Sequence, residues 1–177
     1  MLKIKQANVD KEWLTAAQLL QGVTAHLNEI QCPLWVEQQV SVQGLKSSYK
    51  IEELHFIVDL SGSTVGVVFL QDSDPCFWPE LQSLDSLFVH KLAVAPAYKG
   101  RCYGRHIIQL IVAEAERRGL QWVRLDCDDR EPLHLFYQNN GFKLVDIKRM
   151  QQFIVARYEL PINTCDEHFC KLPLNQG

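Results

Sequence analysis

The sequence predicts a mixed α/β domain in which short strands alternate with amphipathic helices. Two apolar segments separated by Ser61-Gly62-Ser63 indicate a strand hairpin. A strand, a basic turn and a long amphipathic helix follow one another over residues 91–118. With 177 residues and 47% apolar composition, the chain is long enough for one domain with a buried core.

The N-terminal part of the chain is predicted to supply two helical regions and three strands. A short strand covers residues 2–5, and a helix over about residues 10–27 has Asp10 as its predicted N-cap. A second helical stretch covers about residues 36–45. The hairpin strands are LHFIVDL and TVGVVFL, and a polar loop interrupted by prolines follows them over residues 71–83.

The C-terminal part completes the predicted domain. The helix after the basic turn has one apolar stripe and ends at Gly119. Its stripe consists of Ile107, Ile108, Ile111, Val112 and Ala115. The remaining predicted elements are a strand over 122–127, a helix over 132–139, and strands near 142–148 and 153–160. We therefore expect one domain over residues 1–161 and a C-terminal tail over residues 162–177.

Composition argues against several functional classes. The net charge of −3 and the pI of about 6.1 do not favour a nucleic-acid partner. The chain has no apolar run of membrane-spanning length and no signal-peptide pattern, so a cytoplasmic protein without a membrane partner is expected. The six cysteines are predicted to be mostly reduced thiols. Cys165, His168 and Cys170 lack an identifiable fourth ligand, so we expect no metal.

The segment KLAVAPAYKGRCYGR, residues 91–105, is the most informative part of the chain. Its short strand ends before Pro96, and the turn that follows places basic side chains and backbone N–H groups at a helix N-terminus. Such a turn suits a phosphate group. The Walker spacing is absent because Gly100 and Gly104 are four residues apart and Arg105 follows, and the dinucleotide fingerprint is absent as well.

The turn resembles the signature [QR]-x-x-G-x-[GA] of the GNAT superfamily, the acetyl-CoA-dependent N-acetyltransferases. Lys99 stands for the Gln or Arg, Cys102 for the first Gly and Gly104 for the second. The segment LFYQNNGF resembles the family's second signature and places Tyr137 where many members carry a tyrosine near the coenzyme sulfur. Arg130 stands where many members have Asn. The resemblance, to a small bacterial-type member, covers about residues 86–145.

The resemblance implies a central mixed, mostly antiparallel sheet, flanked by about four helices and splayed between strands four and five. It implies acetyl-CoA as cosubstrate and an amine, most simply of a small molecule, as acceptor. The pantetheine arm would pair with the backbone of the fourth strand. The implied coenzyme-binding residues are Leu92, Ala93, Val94, Lys99, Gly100, Arg101, Cys102, Tyr103, Gly104, Arg105, Arg130, Phe136 and Tyr137.

Cys102 is a departure from the signature because a side chain disfavours positive φ. Either the turn has negative φ there, or coenzyme binding is weaker than usual in the family. This departure and Arg130 also keep open a non-catalytic acyl-CoA-binding sensor or interaction domain.

The resemblance makes Tyr137 the candidate acid, since a phenol can protonate a departing thiolate. His90 is the candidate base because its ordinary pKa is near 6.5, and Asp85 is the next candidate. Strict alternation along the fourth strand places Phe88, His90, Leu92 and Val94 on one face, and Val89, Lys91 and Ala93 on the other. Asp126 and Asp128 could shape the same cavity.

The first two helices and the loop before the fourth strand are where such proteins select their acceptor. The predicted acceptor-binding residues are Trp35, Trp78 and Asp85, and the same segments contribute Phe77, Asp72, Asp74 and Glu80. Aromatic rings beside carboxylates suit a small cationic amine. A protein or peptide acetyltransferase, which would need an open groove, is the alternative enzyme, and a homodimer is compatible with the sequence.

Overall fold

The computed structural model describes residues 1–81, 84–150 and 154–162, in which seven strands form one sheet flanked by helices. The strands are β1 (Lys3–Gln6), β2 (Leu54–Val58), β3 (Thr64–Gln71), β4 (Ser86–Val94), β5 (Trp122–Asp128), β6 (Lys143–Arg149) and β7 (Ile154–Pro161). The helices are α1 (Glu12–Glu29), α2 (Glu37–Val40), α3 (Val42–Ser48), α4 (Tyr103–Arg117) and α5 (Glu131–Asn139). The sheet order is β1-β2-β3-β4-β5-β7-β6.

The sheet opens between its two central strands. All neighbouring strands are antiparallel except β4 and β5, which run parallel. Their pairing runs from Ser86 opposite Trp122 to Val89 opposite Leu125, although both strands continue beyond that point. The predicted fold class, a mostly antiparallel mixed sheet splayed between strands four and five, is confirmed.

Two apolar cores cover the two faces of the sheet. On one face the predicted stripe of α4 is confirmed, with Ile107, Ile108 and Ile111 fully buried against the sheet. On the other face α1 and α3 pack on β2 and β3. The residues of this second core include Trp13, Ala16, Ala17, Leu20, Leu45, Leu54, Phe56, Val67 and Phe69. Each fully buried large aliphatic side chain contributes about 1.5–3 kcal/mol, so both helical layers are held mainly by apolar burial.

The predicted cap of the first helix is wrong. Helix α1 begins at Glu12, and Asp10 instead forms an ion pair with Lys46 at 2.6 Å. The Glu12 carboxylate accepts hydrogen bonds from the backbone N–H groups of Asn8 and Val9, at 2.8 and 3.1 Å. These bonds lower the pKa of Glu12. A carboxylate inside the first turn therefore satisfies the N–H groups that precede the helix.

The predicted single helical stretch over residues 36–45 is two helices. Ser41 has an extended ψ of 157° and separates α2 from α3. Its hydroxyl oxygen accepts a hydrogen bond from the backbone N–H of Gly44 at 3.0 Å, which caps α3. The break places Trp35 just before α2 and Tyr49 just after α3, at the two ends of this helical pair.

The predicted alternation along β4 is wrong beyond His90 because the strand contains a bulge. Val67 is paired with Ala93 and Phe69 with His90, so β4 has one more residue than β3 between these pairs. Lys91 has a φ of 50° there. As a result, Leu92 and Val94 pack in the same core as Val89, rather than on the face of His90.

Three further features concern membrane spans, the cysteines and the C-terminal tail. Within the described ranges, no helix is both long and apolar enough to cross a membrane. Cys32, Cys76, Cys102 and Cys127 are free thiols. The Cys165, His168 and Cys170 tail lies outside the described residues, as does all of the predicted tail after Ile162.

Candidate active site

A cavity of about 570 Å³ lies where β4 and β5 diverge. Its walls come from these two strands, from α5, and from the segments that adjoin α2 and α3. The residues that line it are Leu34, Trp35, Val36, Gln39, Ser48, Tyr49, Phe77, Val89, His90, Lys91, Leu92, Asp126, Cys127, Asp128, Leu133, Tyr137 and Val155. The divergence of the sheet thus exposes strand backbone, aromatic rings and ionisable groups to one space.

The cavity brings together part of the predicted site. Trp35, His90, Leu92 and Tyr137 line it. The implied phosphate turn lies at the N-terminus of α4 and does not line the cavity. Of the predicted acceptor residues, only Trp35 is therefore placed at the cavity, together with Phe77 of the loop before β4.

Trp78 and Asp85 are corrections to the predicted acceptor pocket. Trp78 is only 3% exposed, because its ring packs against Phe88 and beneath the guanidinium group of Arg157. Asp85 precedes the first residue of β4, and its carboxylate lies 3.6 Å from Arg124. This end of the strand is the paired end, opposite to the opening, so Asp85 is not on the cavity wall.

The basic turn presents free backbone donors. In the described part of the chain, the N–H groups of Gly100, Arg101 and Cys102 donate to no backbone carbonyl. Nζ of Lys99 lies 3.4 Å from Nε2 of His26, and the Arg101 guanidinium lies over the ring of Tyr98. The turn therefore combines N–H groups at the N-terminus of α4 with two nearby cationic side chains.

Cys102 adopts a left-handed backbone conformation, with φ 55° and ψ 20°. The turn therefore does not have the negative φ that the sequence left open for Cys102; it has the positive φ that a glycine would adopt freely. The side chain is exposed, so the cost of this conformation is a local backbone cost.

The Phe136 ring leaves no room for a side chain at Gly104. A Cβ atom built on Gly104 would lie 2.8 Å from Cε2 of the Phe136 ring. Phe136 belongs to α5, so the start of α4 and the helix that carries Tyr137 are in direct contact. The second glycine position of the turn therefore serves the packing of two helices.

Tyr137 is a buried phenol on the cavity wall, with 8% of its surface exposed. Its ring contacts those of Phe136, Phe142 and Tyr158. Burial raises the pKa of Tyr137, and the nearby Cys127 and Asp126 raise it further. The phenol is therefore held in its protonated form, which is the form that can donate a proton.

His90 lies between two carboxylates. Its Nε2 atom is 3.6 Å from an oxygen of Asp74, and its Nδ1 atom is 3.9 Å from an oxygen of Asp126. Burial lowers the pKa of His90. Burial and then the charge of Asp74 raise the pKa of Asp126 to about 7. The site therefore holds one carboxylate that takes up a proton near neutral pH, beside an imidazole that burial keeps in its uncharged form.

The cluster of Asp74, His90 and Asp126 contains polar atoms that lack partners in the described residues. Asp74 Oδ2, His90 Nε2 and Asp126 Oδ1 are buried and accept or donate no hydrogen bond. One ligand-type atom from each residue lies within 4.8 Å of the others, so the trio has the residue types that could hold a metal ion. Such a buried group needs a proton, a polar ligand or a cation to offset its desolvation.

The loop before β4 is anchored so that Asp74 points at His90. Arg157 donates hydrogen bonds to the carbonyl oxygen of Phe77 and to the carboxylates of Glu80 and Asp146. Asp74 itself accepts a hydrogen bond from the Phe77 N–H at 3.0 Å. Glu80, which the sequence suggested for the acceptor, is therefore part of this anchor.

Lys91 and Tyr49 are cavity residues that the sequence analysis did not select. Lys91 Nζ lies 5.0 Å from the centre of the Trp35 ring, and burial lowers the pKa of Lys91 to about 8. Tyr49 packs near His90, with ring centres 6.0 Å apart. A lysine inside a largely apolar strand, next to His90, was the available signal for Lys91, whereas nothing local distinguishes Tyr49.

Arg130 connects two segments rather than facing open solvent. Its guanidinium donates to the carboxylate of Asp128 and to the carbonyl oxygens of Cys32 and Pro33, the last at 2.8 Å. These bonds join the end of β5 to the segment that carries Trp35. These bonds use most of the N–H donors of Arg130, which the resemblance implied would bind the coenzyme.

Residues 52–144 match the family model described as an acetyltransferase (GNAT) domain. A GNAT-family acetyltransferase from Listeria monocytogenes has a similar structure, with a TM-score of 0.71, 15% identity, and coverage of 90% of this chain and 94% of that chain. The ribosomal-protein-S18-alanine N-acetyltransferase from Escherichia coli is similar over 94% of this chain and 97% of that chain, with a TM-score of 0.63 and 17% identity.

An aminoglycoside acetyltransferase in complex with coenzyme A and kanamycin is similar over 91% of this chain and 95% of that chain, with a TM-score of 0.69 and 13% identity. At such identities these similarities show the fold alone. No curated protein matches the chain in sequence.

Proposed function

Because the chain belongs to the GNAT acetyltransferase family, we propose that it transfers the acetyl group of acetyl-CoA directly to a primary amine of a small molecule. The observation that carries the proposal is the cavity between the diverging strands, whose wall includes both a protonated phenol, Tyr137, and a proton-accepting pair, His90 and Asp126. We further propose that residues 1–161 make up the acetyltransferase domain.

The coenzyme would be held by backbone groups. Beyond Val89, β4 no longer pairs with β5, so the backbone of Leu92, Ala93 and Val94 faces a gap in which a pantetheine arm fits as an added strand. The N–H groups of residues 100–105 would hold the pyrophosphate, and Lys99, Arg101 and Arg105 would neutralise part of its charge. Tyr103 and Phe136 would shape the adjoining surface.

His90 and Asp126 would remove the proton from the acceptor ammonium: Asp126 has a pKa of about 7, and burial keeps the His90 imidazole in its uncharged, proton-accepting form. The neutral amine then attacks the thioester carbonyl carbon, a C–N bond forms, and the C–S bond breaks. Tyr137 would give its proton to the departing thiolate and recover one from solvent. A backbone N–H of β4 would stabilise the negative charge that develops on the carbonyl oxygen.

The aromatic wall of the cavity supports a small acceptor. Trp35 and Tyr49 narrow it on the side of α2 and α3. Of the similar structures, one is named for acetylation of a protein alanine and another holds an aminoglycoside antibiotic, so both types of acceptor occur on this fold. A peptide would need this side to open, which makes peptide acetylation the second candidate.

The test is a thiol-release assay with acetyl-CoA and a library of small amines and peptides. Release that depends on a small amine, with the N-acetyl product identified by mass spectrometry, is the expected result. Preference for peptides over every small amine would support the second candidate. Stabilisation by CoA, seen as a rise in Tm, without turnover of any acceptor would identify a non-catalytic acyl-CoA-binding domain.

A further inference from the structure

We propose that the amine acceptor also carries an anionic group, a carboxylate in the simplest case, and that Lys91 binds this anion. The inference rests on the proposed function, since it describes the acceptor of the same cavity. It assigns to Lys91 a specificity role that the acetyl transfer itself does not require.

Lys91 is directed into the cavity by an unusual backbone conformation. It occupies the bulge of β4, and its φ of 50° is in a region that non-glycine residues seldom adopt. Without the bulge, strict alternation would place the side chains of Lys91 and His90 on opposite faces of the sheet. With the bulge, both residues line one cavity, and Lys91 Nζ lies over the Trp35 ring of the cavity wall. Strain of this kind persists where the surrounding structure enforces it, commonly at ligand sites.

The ammonium group of Lys91 has no anionic partner at contact distance, and the charge of Asp126 acts on it only from farther away. Among the described residues it forms no hydrogen bond and no ion pair, and Nζ lies 5.0 Å from the centre of the Trp35 ring. The side chain is half-buried, so its charge is partly removed from water. The aromatic ring offsets only part of that cost, by about 0.5–2 kcal/mol.

The same cavity holds carboxylates that are also unsatisfied. Asp126 lines it, and Oδ1 of Asp126 has no hydrogen-bond partner among the described residues. Asp128, the second carboxylate on the wall, is paired with Arg130. Lys91 and Asp126 are of opposite charge and face one space, yet they do not form an ion pair.

A cation and an anion that share a cavity but do not pair with each other are complementary to a ligand with one charge of each sign. The acceptor ammonium would approach Asp126 and His90, where it must lose its proton. The acceptor anion would then lie beside Lys91 and the Trp35 ring. An amino acid or a closely related amino carboxylate has this chemistry, whereas a plain diamine would leave Lys91 unpaired and add a second positive charge beside it.

The experiment compares matched acceptors that differ only in the carboxylate. The pairs are lysine with cadaverine, tyrosine with tyramine, tryptophan with tryptamine and phenylalanine with phenethylamine, each assayed for thiol release with acetyl-CoA. A charge-assisted contact typically contributes enough to change kcat/KM by about 10- to 100-fold. We expect the best acceptor to be an amino acid that exceeds its decarboxylated partner by that factor.

Lys91→Met keeps the length of the side chain and the backbone strain but removes the charge. It should lower kcat/KM for the preferred amino acid about 10- to 100-fold and leave the value for the decarboxylated amine within about threefold. Lys3→Met is the matched control, because Lys3 is an exposed residue of β1, far along the sheet from the cavity, and its replacement changes the net charge equally. It should leave both values unchanged.

A second readout separates failure of this inference from failure of the proposed function. The shift in Tm caused by each member of the pairs is measured with CoA present, in the wild type and in Lys91→Met. A shift that requires both the carboxylate and Lys91 supports the inference even if no acceptor is turned over, in which case the proposed function fails alone. Equal binding and turnover of paired acceptors would overturn the inference, as would mass-spectrometric detection of acetyl transfer to Lys91 itself.

Discussion

Protonation of the departing thiolate would depend on the hydroxyl group of Tyr137. Its ring packs against Phe136, Phe142 and Tyr158, so packing sets the position of the oxygen, which forms no hydrogen bond to any of the described residues. Tyr137 is protonated at rest, as an ordinary phenol is near neutral pH, so it can donate a hydrogen bond and then a proton to a thiolate; the raised pKa makes it a weaker acid, not a stronger one.

Replacing Tyr137 by Phe removes the hydroxyl and keeps the ring packing. We expect kcat to fall roughly 10- to 100-fold with little change in CoA affinity, because the hydroxyl acts when charge gathers on sulfur. Rapid-quench rates and CoA titration check this. Tyr158→Phe is the control: that hydroxyl is bound to His134 and is not on the cavity wall, so its loss should affect stability but not kcat. Unchanged kcat in Tyr137→Phe would show that water protonates the thiolate.

Cys102→Gly should stabilise the protein by about 0.5–1 kcal/mol, because glycine adopts the observed φ of 55° without the cost of a Cβ atom. Turnover should be retained and CoA binding equal or tighter. Urea denaturation and a CoA titration measure both effects. Cys102→Ala keeps the backbone cost and removes only the thiol, so it should behave as the wild type. A loss of turnover in Cys102→Ala would assign the thiol a chemical role.

The sequence allowed the candidate acid and base to be identified but not their surroundings. Tyr137 and His90 carry local signals, an apolar segment that ends in Gly-Phe and an ionisable side chain in a strand. The position of Asp74 beside His90 results from a loop contact with β4 over 16 residues and from the Arg157 anchor across the sheet, and neither has a periodic signal. Contacts of this kind are set by tertiary packing.

At the scale of the secondary-structure elements, the contact of Gly104 with Phe136 links α4 to α5. Gly104→Ala should destabilise the protein by about 1–3 kcal/mol, because the added carbon would lie 2.8 Å from the ring. It should also weaken CoA binding by displacing the turn. The control is Gly22→Ala in α1, where nothing lies within 4 Å and alanine should stabilise by about 0.5–1 kcal/mol.

Phe136→Leu tests whether this contact is the cause. If it is, the double variant Gly104→Ala with Phe136→Leu should be more stable than the sum of the single losses predicts, by about 0.5–3 kcal/mol in urea denaturation. Strictly additive losses would show that Gly104 is required for its backbone alone.

Most elements could be predicted from periodicity, but their irregularities could not. The apolar stripe of α4 and the apolar segments of β2 and β3 on either side of Ser61-Gly62-Ser63 are local patterns, and the structure confirms the elements that they predict. The bulge in β4 occurs at a lysine, with no glycine to mark it, and arises because β3 and β4 must keep pairing on both sides of it. A single added residue therefore reversed the face assigned to Leu92 and Val94.

At the scale of the whole molecule, the buried acids make stability depend on pH. The folded-state pKa of Asp126 is about 7, against 3.8 for the free group, so the folded state binds this proton more tightly than the unfolded state. The contribution of protonated Asp126 to the free energy of unfolding is therefore fully present below about pH 4 and is lost as the pH rises to about 7. At about 1.4 kcal/mol per pKa unit, the loss is on the order of 4 kcal/mol.

Asp126→Asn removes this titration. The unfolding free energy of the variant minus that of the wild type should therefore rise between about pH 4 and pH 7 and then level off. Urea denaturation of both proteins at about pH 5 and pH 8 measures it. Asp59→Asn is the control, because the pKa of Asp59 is lowered from 3.8 and its titration lies below the pH range measured, so its effect should be the same at pH 5 and pH 8. A constant difference for Asp126→Asn would contradict the shift.

Arg130 holds the segment that carries Trp35 against the end of β5. Outward movement of this wall must break the hydrogen bonds to the carbonyl oxygens of Cys32 and Pro33 together, while Asp128 keeps the guanidinium in place at the end of β5. The cavity wall therefore opens in one concerted step, in which these hydrogen bonds break together. We expect the rate of this step to limit both entry of the acceptor and release of the product.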